Sequence, residues 1–595
     1  MGVSVRSFGI IPGAAKDPEH IDMIKYCKLE LAKPMYSKPL RYASLAAALT
    51  LIGSGANAQL LHNLTIGNAK ALALGNAVTA DPPGIDSIHF NPAGLAQIKG
   101  RQFNVKLIAA HLTSDSEFGA PIRPDNNTKQ TYFDFNEGRL DQCSAAGATP
   151  TQQELDDCWG VDPIANSSSS MDGPGLMLPF FGFTELPILA FPAGGVAFED
   201  PSMGWTFGTA VYSPQGIGYT RDDADPTTGN GSPGAYQGTE VGVTRLTYFS
   251  PTVAIPVTDK LSVGVGMNFS YQGLAVDTYI RAPLQTTQWL GSVNDLLPAE
   301  AELSIIAPYD NIGRLSMEME DFLSVGFNFG ILYQATDWLS FGFLYQSEAT
   351  AQMSGDYKMV NSEEFLHTTE DLAPAGPILG VVGGAPFNAT RVEKGEVELE
   401  YIMPQNVAFG TSIKVLPRLK VNVDLRWVEY SVWDELEFEF SNNVDYLNLS
   451  SVIYTLSSGY GLKDNADPDA MRIRRGYDDT WSLAFGAEYQ WDDNLVLRVG
   501  FEPREGAISD SSADLLFPIG KADLFTAGFG WQLSSTARVD AALGVLYSEQ
   551  SIDACKSLNA NRCQEGDVVY NPYYSMPFET ETTAYIGAIS FDKKF

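Results

Sequence analysis

The chain has 595 residues, with 38 Lys+Arg against 72 Asp+Glu and a formal net charge of -34. Such acidity argues against a nucleic-acid partner, because phosphate binding needs basic patches. No apolar run reaches the roughly 20 residues of a spanning helix, yet the chain holds 55 Gly, 9 Trp, 26 Tyr and 32 Phe, a composition that suits a β-barrel better than a helical membrane protein.

Residues 1–34 fit no export pattern, and an over-long start with Met35 as the true initiator is one reading of them. Cys27 has no apolar run before it, which argues against a lipoprotein anchor. Residues 35–58 read as a secretory signal. Lys38 and Arg41 supply the basic start, Ala43 to Ile52 the apolar core, and Ala56-Asn57-Ala58 an A-x-A cleavage site, so residues 1–58 are set apart and the mature chain begins at Gln59.

Residues 59–100 differ from the rest of the mature chain. Ala69 to Ala77 is small and helix-compatible, and Asp81-Pro82-Pro83-Gly84 breaks it. A compact segment ahead of the first strand can lie inside a barrel as a plug. Glycines on the predicted lumen face (Gly264, Gly266, Gly326, Gly330, Gly528, Gly530) would make room for it, or would only relieve barrel curvature. Both readings stay open.

From about residue 101 strict alternation dominates. Leu261, Val263, Val265, Met267, Phe269 and Tyr271 alternate with Ser262, Gly264, Gly266, Asn268 and Ser270. The pattern predicts 14 strands, at 101–113, 188–198, 203–213, 243–256, 260–272, 321–334, 338–352, 394–415, 419–440, 479–490, 494–503, 521–532, 536–548 and 580–595. One apolar parity, Val397, Leu399, Tyr401, Met403 and Val407, predicts a single strand over 394–415 despite Pro404. In 419–440 the apolar parity slips, which predicts a bulge near 428–435. Six tight links (199–203, 257–260, 335–337, 416–418, 491–494, 533–536) alternate with seven long segments (114–187, 214–242, 273–320, 353–393, 441–478, 504–520, 549–579). Short turns on one side and long loops on the other are the signature of an outer-membrane barrel with periplasmic turns. The fold expected over 101–595 is therefore all-β, a 14-stranded antiparallel transmembrane β-barrel with an N-terminal hatch (59–100).

Four cysteines remain after the signal. An even number at short separations in an exported chain favours local disulfides, Cys143–Cys158 and Cys555–Cys563, because short loops cost least chain entropy. Both pairs fall in predicted outside loops.

With these features the chain resembles the FadL-type long-chain fatty-acid transporters of Gram-negative outer membranes. Gly75 to Leu95 looks like that family's plug, with Asn91-Pro92-Ala93 as its NPA motif. Trp205-Thr206-Phe207-Gly208 with Val211-Tyr212-Ser213-Pro214-Gln215-Gly216 looks like its early-strand motif, and Leu497-Arg498-Val499-Gly500-Phe501 like another recurring strand. The resemblance implies a barrel occluded by a hatch, capture of a hydrophobic ligand by outside loops, and exit through a wall gap made by a kinked strand. It also implies passive transport without ATP or cofactor, a monomer in outer-membrane lipid and lipopolysaccharide, and insertion by the barrel-assembly machinery through the C-terminal strand ending at Phe595. The long first outside loop and Lys593, which interrupts the terminal apolar alternation, depart from the pattern.

Several residues are candidates for sites. Phe90, Asn91, Pro92, Ala93 and Gly94 can hold a turn that seats the hatch; the bland reading is an ordinary turn. Gly204, Gly208, Pro214 and Gly216 are candidates for a kink that opens the wall, or mark a strand entering a loop. Apolar loop residues (Phe180, Phe181; Trp289, Leu290, Leu296, Leu297; Ile378, Leu379) are candidates for ligand capture or for a packed lid. Arg426 and Arg498 point to the lumen by parity and can clamp a carboxylate, although Asp424 and Asp540 nearby suit a structural charge ladder. Acidic loop clusters at Asp222, Asp223 and Asp225 and at Asp464, Asp467 and Asp469 lack the spacing of a calcium loop, and the five histidines show no zinc spacing. No catalytic motif is legible. Rival readings are a hydrocarbon channel of the same fold, a water-filled porin, and a secreted β-rich enzyme or adhesin. The acidity fits a salty habitat or divalent-ion bridging to lipopolysaccharide.

Overall fold

The computed structural model describes residues 63, 65–121, 162–186, 188–221, 232–282, 290, 306, 309–372, 388–456, 467–563 and 571–595. The expected signal segment and the Cys143–Cys158 pair lie outside them.

The wall has 14 strands. Nine are continuous: β1 (Arg101–Phe118), β2 (Leu189–Glu199), β3 (Thr206–Arg221), β5 (Leu261–Arg281), β6 (Asn311–Thr336), β11 (Leu495–Arg504), β12 (Ala522–Ser534), β13 (Ala537–Ile552) and β14 (Phe578–Lys594). The rest come in two pieces: β4 (Glu240–Phe249, Thr252–Thr258), β7 (Leu339–Gln346, Ala349–Asn361), β8 (Val392–Met403, Asn406–Leu416), β9 (Leu419–Val428, Glu435–Phe440) and β10 (Ala470–Arg474, Thr480–Gln490). All neighbours are antiparallel, and β1 closes the barrel on β14 from Gln102↔Lys594 to Phe118↔Phe578. The six predicted tight links are all at one end.

The faces are inverted relative to a soluble protein. Leu107, Phe327, Phe341, Trp481, Val499 and Leu543 are exposed. Asn104, Lys106, Asn268, Asn328, Asn422 and Arg498, on the alternate faces, are buried. An exposed apolar band over a polar interior is what a bilayer selects. Trp205, Trp338, Trp491 and Trp531 sit at or near the short-turn end, exposed, where an interfacial girdle belongs. Among the described residues no helix is long and apolar enough to cross a membrane.

The strands outrun the membrane. A tilted spanning strand needs about 9–11 residues, whereas β5 has 21 and β6 has 26. Along these extensions the interior changes character. On β5 the inward residues pass from Asn268 and Ser270 to Leu274 and Val276. On β6 they pass from Asn328 and Ser324 to Met319, Met317 and Leu315. The upper half of the barrel thus holds the largest apolar core.

Two expectations are corrected at this level. Residues 394–415 are not one strand: at Pro404-Gln405 the buried positions change from Val397, Leu399, Tyr401 and Met403 to Asn406 and Ala408. Proline cannot donate to the ladder, so the strand breaks there. In β9 there is a break, closed by a 3-10 turn at Tyr430–Val432, rather than a simple bulge. The buried parity does not slip across it: Asn422, Asp424 and Arg426 lie on the same parity as Leu436, Phe438 and Phe440. What changes sides is the apolar character, because the upper wall borders an apolar interior instead of lipid.

Candidate functional site

The lower lumen is filled by residues 65–98. Asn68 caps a short helix, α1 (Ala69–Ala73), accepting from the Ala71 N–H. Gly75 and Asn76 then take positive φ, and the chain turns back. A second short helix, α2 (Ser87–Phe90), leads to Asn91. The Asn91 Oδ1 accepts from Ala93 N at 3.2 Å and so caps the 3-10 turn Pro92–Gln97. Its Nδ2 donates to Thr79 O (2.8 Å) within the segment and to Ile331 O (3.0 Å) in β6. Proline at the first position suits a turn start, where no N–H is needed. The motif therefore ties the segment to itself and to the wall. Phe90 is buried against His89, and a side chain at Gly94 would collide with Pro82 and Ser87.

The wall yields space to the segment where it comes closest. A Cβ on Gly264 would strike the Pro92 carbonyl, one on Gly330 the Asn91 side chain, and one on Gly500 the Gly75 amide. On Gly528 it would lie 2.7 Å from Ala73 Cβ, on Gly486 2.8 Å from Leu74 O, and on Gly410 2.7 Å from Ala80 N. Gly264, Gly330 and Gly528 thus make room for the segment. Gly266 faces only Thr252 of the wall, Gly530 faces Arg538 and Asp540, and Gly326 has nothing nearer than 3.5 Å.

Charges fasten the segment. Lys106 of β1 pairs with Asp86 at 2.5 Å, both fully buried, and Asn68 and Asn104 donate to the same carboxylate. Asp81 takes Lys70 (3.0 Å) and Lys420 of β9 (2.5 Å). Burial opposes ionisation of Asp81, yet Lys70 and Lys420 outweigh it and hold the carboxyl below its ordinary range. Burial pushes the His89 imidazole well below its usual range, and Arg426, Lys106 and Arg245 push it further, so it is neutral. Beside the segment lies a polar pocket of about 1160 Å³ lined by Lys70, Glu488, Arg498, Arg538, Asp540 and Asp592.

Above the segment the interior is apolar. One cavity is walled by Val243, Leu274, Val276, Leu315, Met317 and Phe438, among others. A second, smaller one shares Tyr401, Leu436 and Phe517 with it and reaches Gln215 and Ile217 of β3. Two buried arginines border these spaces, each already neutralised. Arg281 is bound to Asp162 at 2.5 Å, and Arg475 to Asp514 and to the Tyr477 hydroxyl.

The smaller cavity meets an interruption in the wall. β2 pairs with β3 only from Glu199↔Thr206 to Gly194↔Val211. Above that, β2 stays with β1 as far as Leu189. β3 regains a partner on that side only at Tyr219–Arg221, from Ser168–Leu178, the first strand of a loop hairpin completed by Gly182–Glu185. Between lies an unpaired stretch, flanked by Pro192 on β2 and by the register shift at Tyr212/Gln215, around Pro214, on β3. A Cβ on Gly216 would sit 3.5 Å from the Phe191 ring across this stretch.

The sequence candidates divide accordingly. Pro214 and Gly216 stand at the interruption. Gly208 is in the regular ladder and faces Ile88 of the luminal segment. Gly204, at φ +70, merely makes the tight turn before β3. Phe180 and Phe181 are 83% and 81% exposed at the tip of the loop hairpin. That hairpin lies on the outer wall: Met177 and Phe183 face Gly242, whose neighbour Val243 lines the cavity. Leu290 is buried in the upper core. Trp289, Leu296, Leu297, Ile378 and Leu379 lie outside the described residues. Arg426 faces the lumen and pairs with Glu502 at 3.4 Å. Arg498 lies between Glu488 (2.7 Å) and Asp540 (2.5 Å) in the polar pocket, away from the apolar cavities. Cys555 and Cys563 are joined by a disulfide. Sequence reasoning missed Tyr401, Gln215 and Arg245; the inward parity of Val241, Val243 and Arg245 was the available signal for the last.

Residues 189–595 match the family model described as outer membrane protein transport protein (OMPP1/FadL/TodX). A long-chain fatty acid transport protein of Escherichia coli O6:H1 is 21% identical over 403 residues, covering 67% of this chain and 75% of that protein. The crystal structure of a Pseudomonas aeruginosa FadL homologue aligns over 91% of this chain and 100% of its own, with a TM-score of 0.60 and 15% identity. The Ralstonia pickettii toluene transporter TbuX aligns over 90% and 99%, with a TM-score of 0.52 and 15% identity. A family match across all of the wall after β1, on a closed 14-stranded barrel, identifies the chain as a member of the OMPP1/FadL/TodX family of outer-membrane transport proteins.

Proposed function

We propose that this protein admits elongated hydrophobic molecules, long-chain fatty acids or compounds like them, by passive diffusion. The ligand enters the upper barrel from outside, occupies the apolar cavities and leaves sideways between β2 and β3. The observation that carries this reading is the pair of adjoining apolar cavities, the smaller reaching Gln215 and Ile217 beside the unpaired stretch of wall. Straight passage downward is blocked by the luminal segment, which acts as the hatch, and the polar pocket beside it suits no acyl chain. The relatives add support, since one is a long-chain fatty acid transport protein.

A specific observation favours a second reading. Arg281 and Arg475, at the cavity walls, are both paired with aspartates. On their account the cavities offer no charge to a head group, which suits an alkane or aromatic hydrocarbon, as in the toluene transporter of the same fold. Equilibrium binding of radiolabelled oleate to the detergent-purified barrel, with hexadecane as competitor, separates the two. Saturable binding that hexadecane does not displace supports the fatty-acid reading. Displacement supports the hydrocarbon reading, and no saturable binding sinks both.

A further inference from the structure

The interior cations of this barrel are almost all spoken for. Lys106, Arg281, Arg426, Arg475 and Arg498 each have a carboxylate. Among the described residues Arg221 has none but donates to the carbonyls of Gly234, Gly238 and Leu515. Arg245 is different. Among the described residues it has neither an acid partner nor a side-chain hydrogen bond, and its Nε is buried without an acceptor. The residue as a whole is half-buried, and holding a guanidinium partly out of water without a partner costs folding free energy and returns none.

Its position gives the cost a purpose. Arg245 is the next inward residue below Val243, which lines the larger apolar cavity. In register it faces Gln215 of β3 on one side and Gln272 of β5 on the other. Gln215 lines the smaller cavity, at the register shift beside the wall interruption. The guanidinium reaches across β5, with Nη2 3.5 Å from where a Cβ on Gly326 would stand, an ordinary contact distance. Below, it is close enough to act electrostatically on His89 at the top of the hatch, together with Lys106 and Arg426.

We propose that Arg245 receives the anionic head group of a long-chain amphiphile, whose tail lies in the apolar cavity above. A carboxylate fits best, because the planar fork of guanidinium N–H groups takes both of its oxygens. This rests on the transport reading above and decides within it: below cavities whose arginines are paired, Arg245 stands without an acid partner among the described residues, between the hatch and the lateral interruption. An acid is thereby held at the branch point of the route, whereas an uncharged hydrocarbon gains nothing there.

The test compares acid and ester of one chain. Radiolabelled oleate and methyl oleate are titrated into the purified full barrel, wild type, Arg245→Met and Arg245→Lys. Methionine removes an unpaired, half-buried charge and leaves no orphan, so folding is preserved, and the heat-modifiable gel shift checks it. Arg245→Met lowers oleate affinity by about tenfold or more and leaves methyl oleate within about twofold, while Arg245→Lys restores part of the loss. A merely structural arginine would move both ligands together. Equal oleate affinity in wild type and Arg245→Met overturns this inference and leaves the transport reading standing. Failure of both ligands to bind wild type removes both.

Discussion

Removing the Asp86 carboxylate would strand the Lys106 ammonium in a site where neither side chain meets water. Breaking one side of a buried pair costs about 3–5 kcal/mol, and here the loss falls on hatch docking. Asp86→Ala is therefore expected to raise amide exchange across residues 65–98, with the wall strands unchanged. Unaltered exchange would mean that the pair contributes nothing to docking. The glycines make a second residue-level case. Gly264→Val must displace the Pro92 backbone, an overpacking cost of about 1–3 kcal/mol, whereas Gly326→Ala meets only ordinary contacts. Proteolysis within 65–98 should quicken in the first variant and not in the second; equal rates would contradict the close seat. Alternation correctly placed Arg426 and Arg498 on the lumen side. It said nothing of their partners, because Glu502, which pairs with Arg426, stands two strands away in β11, and cross-lumen distances leave no trace in a period of two.

At the scale of elements, strand positions and the six tight turns were legible because lipid outside and a filled lumen inside enforce a two-residue period. The misread joins in β8 and β9 share one cause. Above the membrane level the apolar face is the inner one, so continuous apolar parity hid a break at Pro404, and an apparent slip in β9 was a change of environment. The luminal segment was visible as compact and Pro-broken, but its contacts were not. Those contacts give it a pH dependence. His89 is held neutral and Asp81 ionised in the docked state. Each binds fewer protons there than when released, so the contribution of these two groups to docking is full at high pH and falls on acidification. The His89 contribution is lost as pH falls below about 6.5, and that of Asp81 below about 4. Exchange protection of residues 65–98, corrected for intrinsic rates, should fall from about pH 8 to about pH 4 while the wall holds. Protection that rises with acid would contradict these assignments.

For the whole molecule, the essential arrangement is vertical: a charged lower lumen filled by residues 65–98, apolar cavities above it, and an interruption in the wall where the two meet. Composition and alternation pointed to a barrel, and the family resemblance to a lateral exit. The interruption itself depends on β2 leaving β3 at Gly194↔Val211 while it stays with β1 as far as Leu189, a change of partner that no periodicity reports. The most direct measurement is to load the purified barrel with a photoactivatable long-chain fatty acid, irradiate it and map the labelled residues by mass spectrometry. The account predicts labels on the apolar cavity, at Tyr401, Leu436 and Phe517, and at Gln215, Ile217 and Phe191 along the interruption. Labels confined to the polar pocket around Lys70, Arg498 and Asp592 would contradict it.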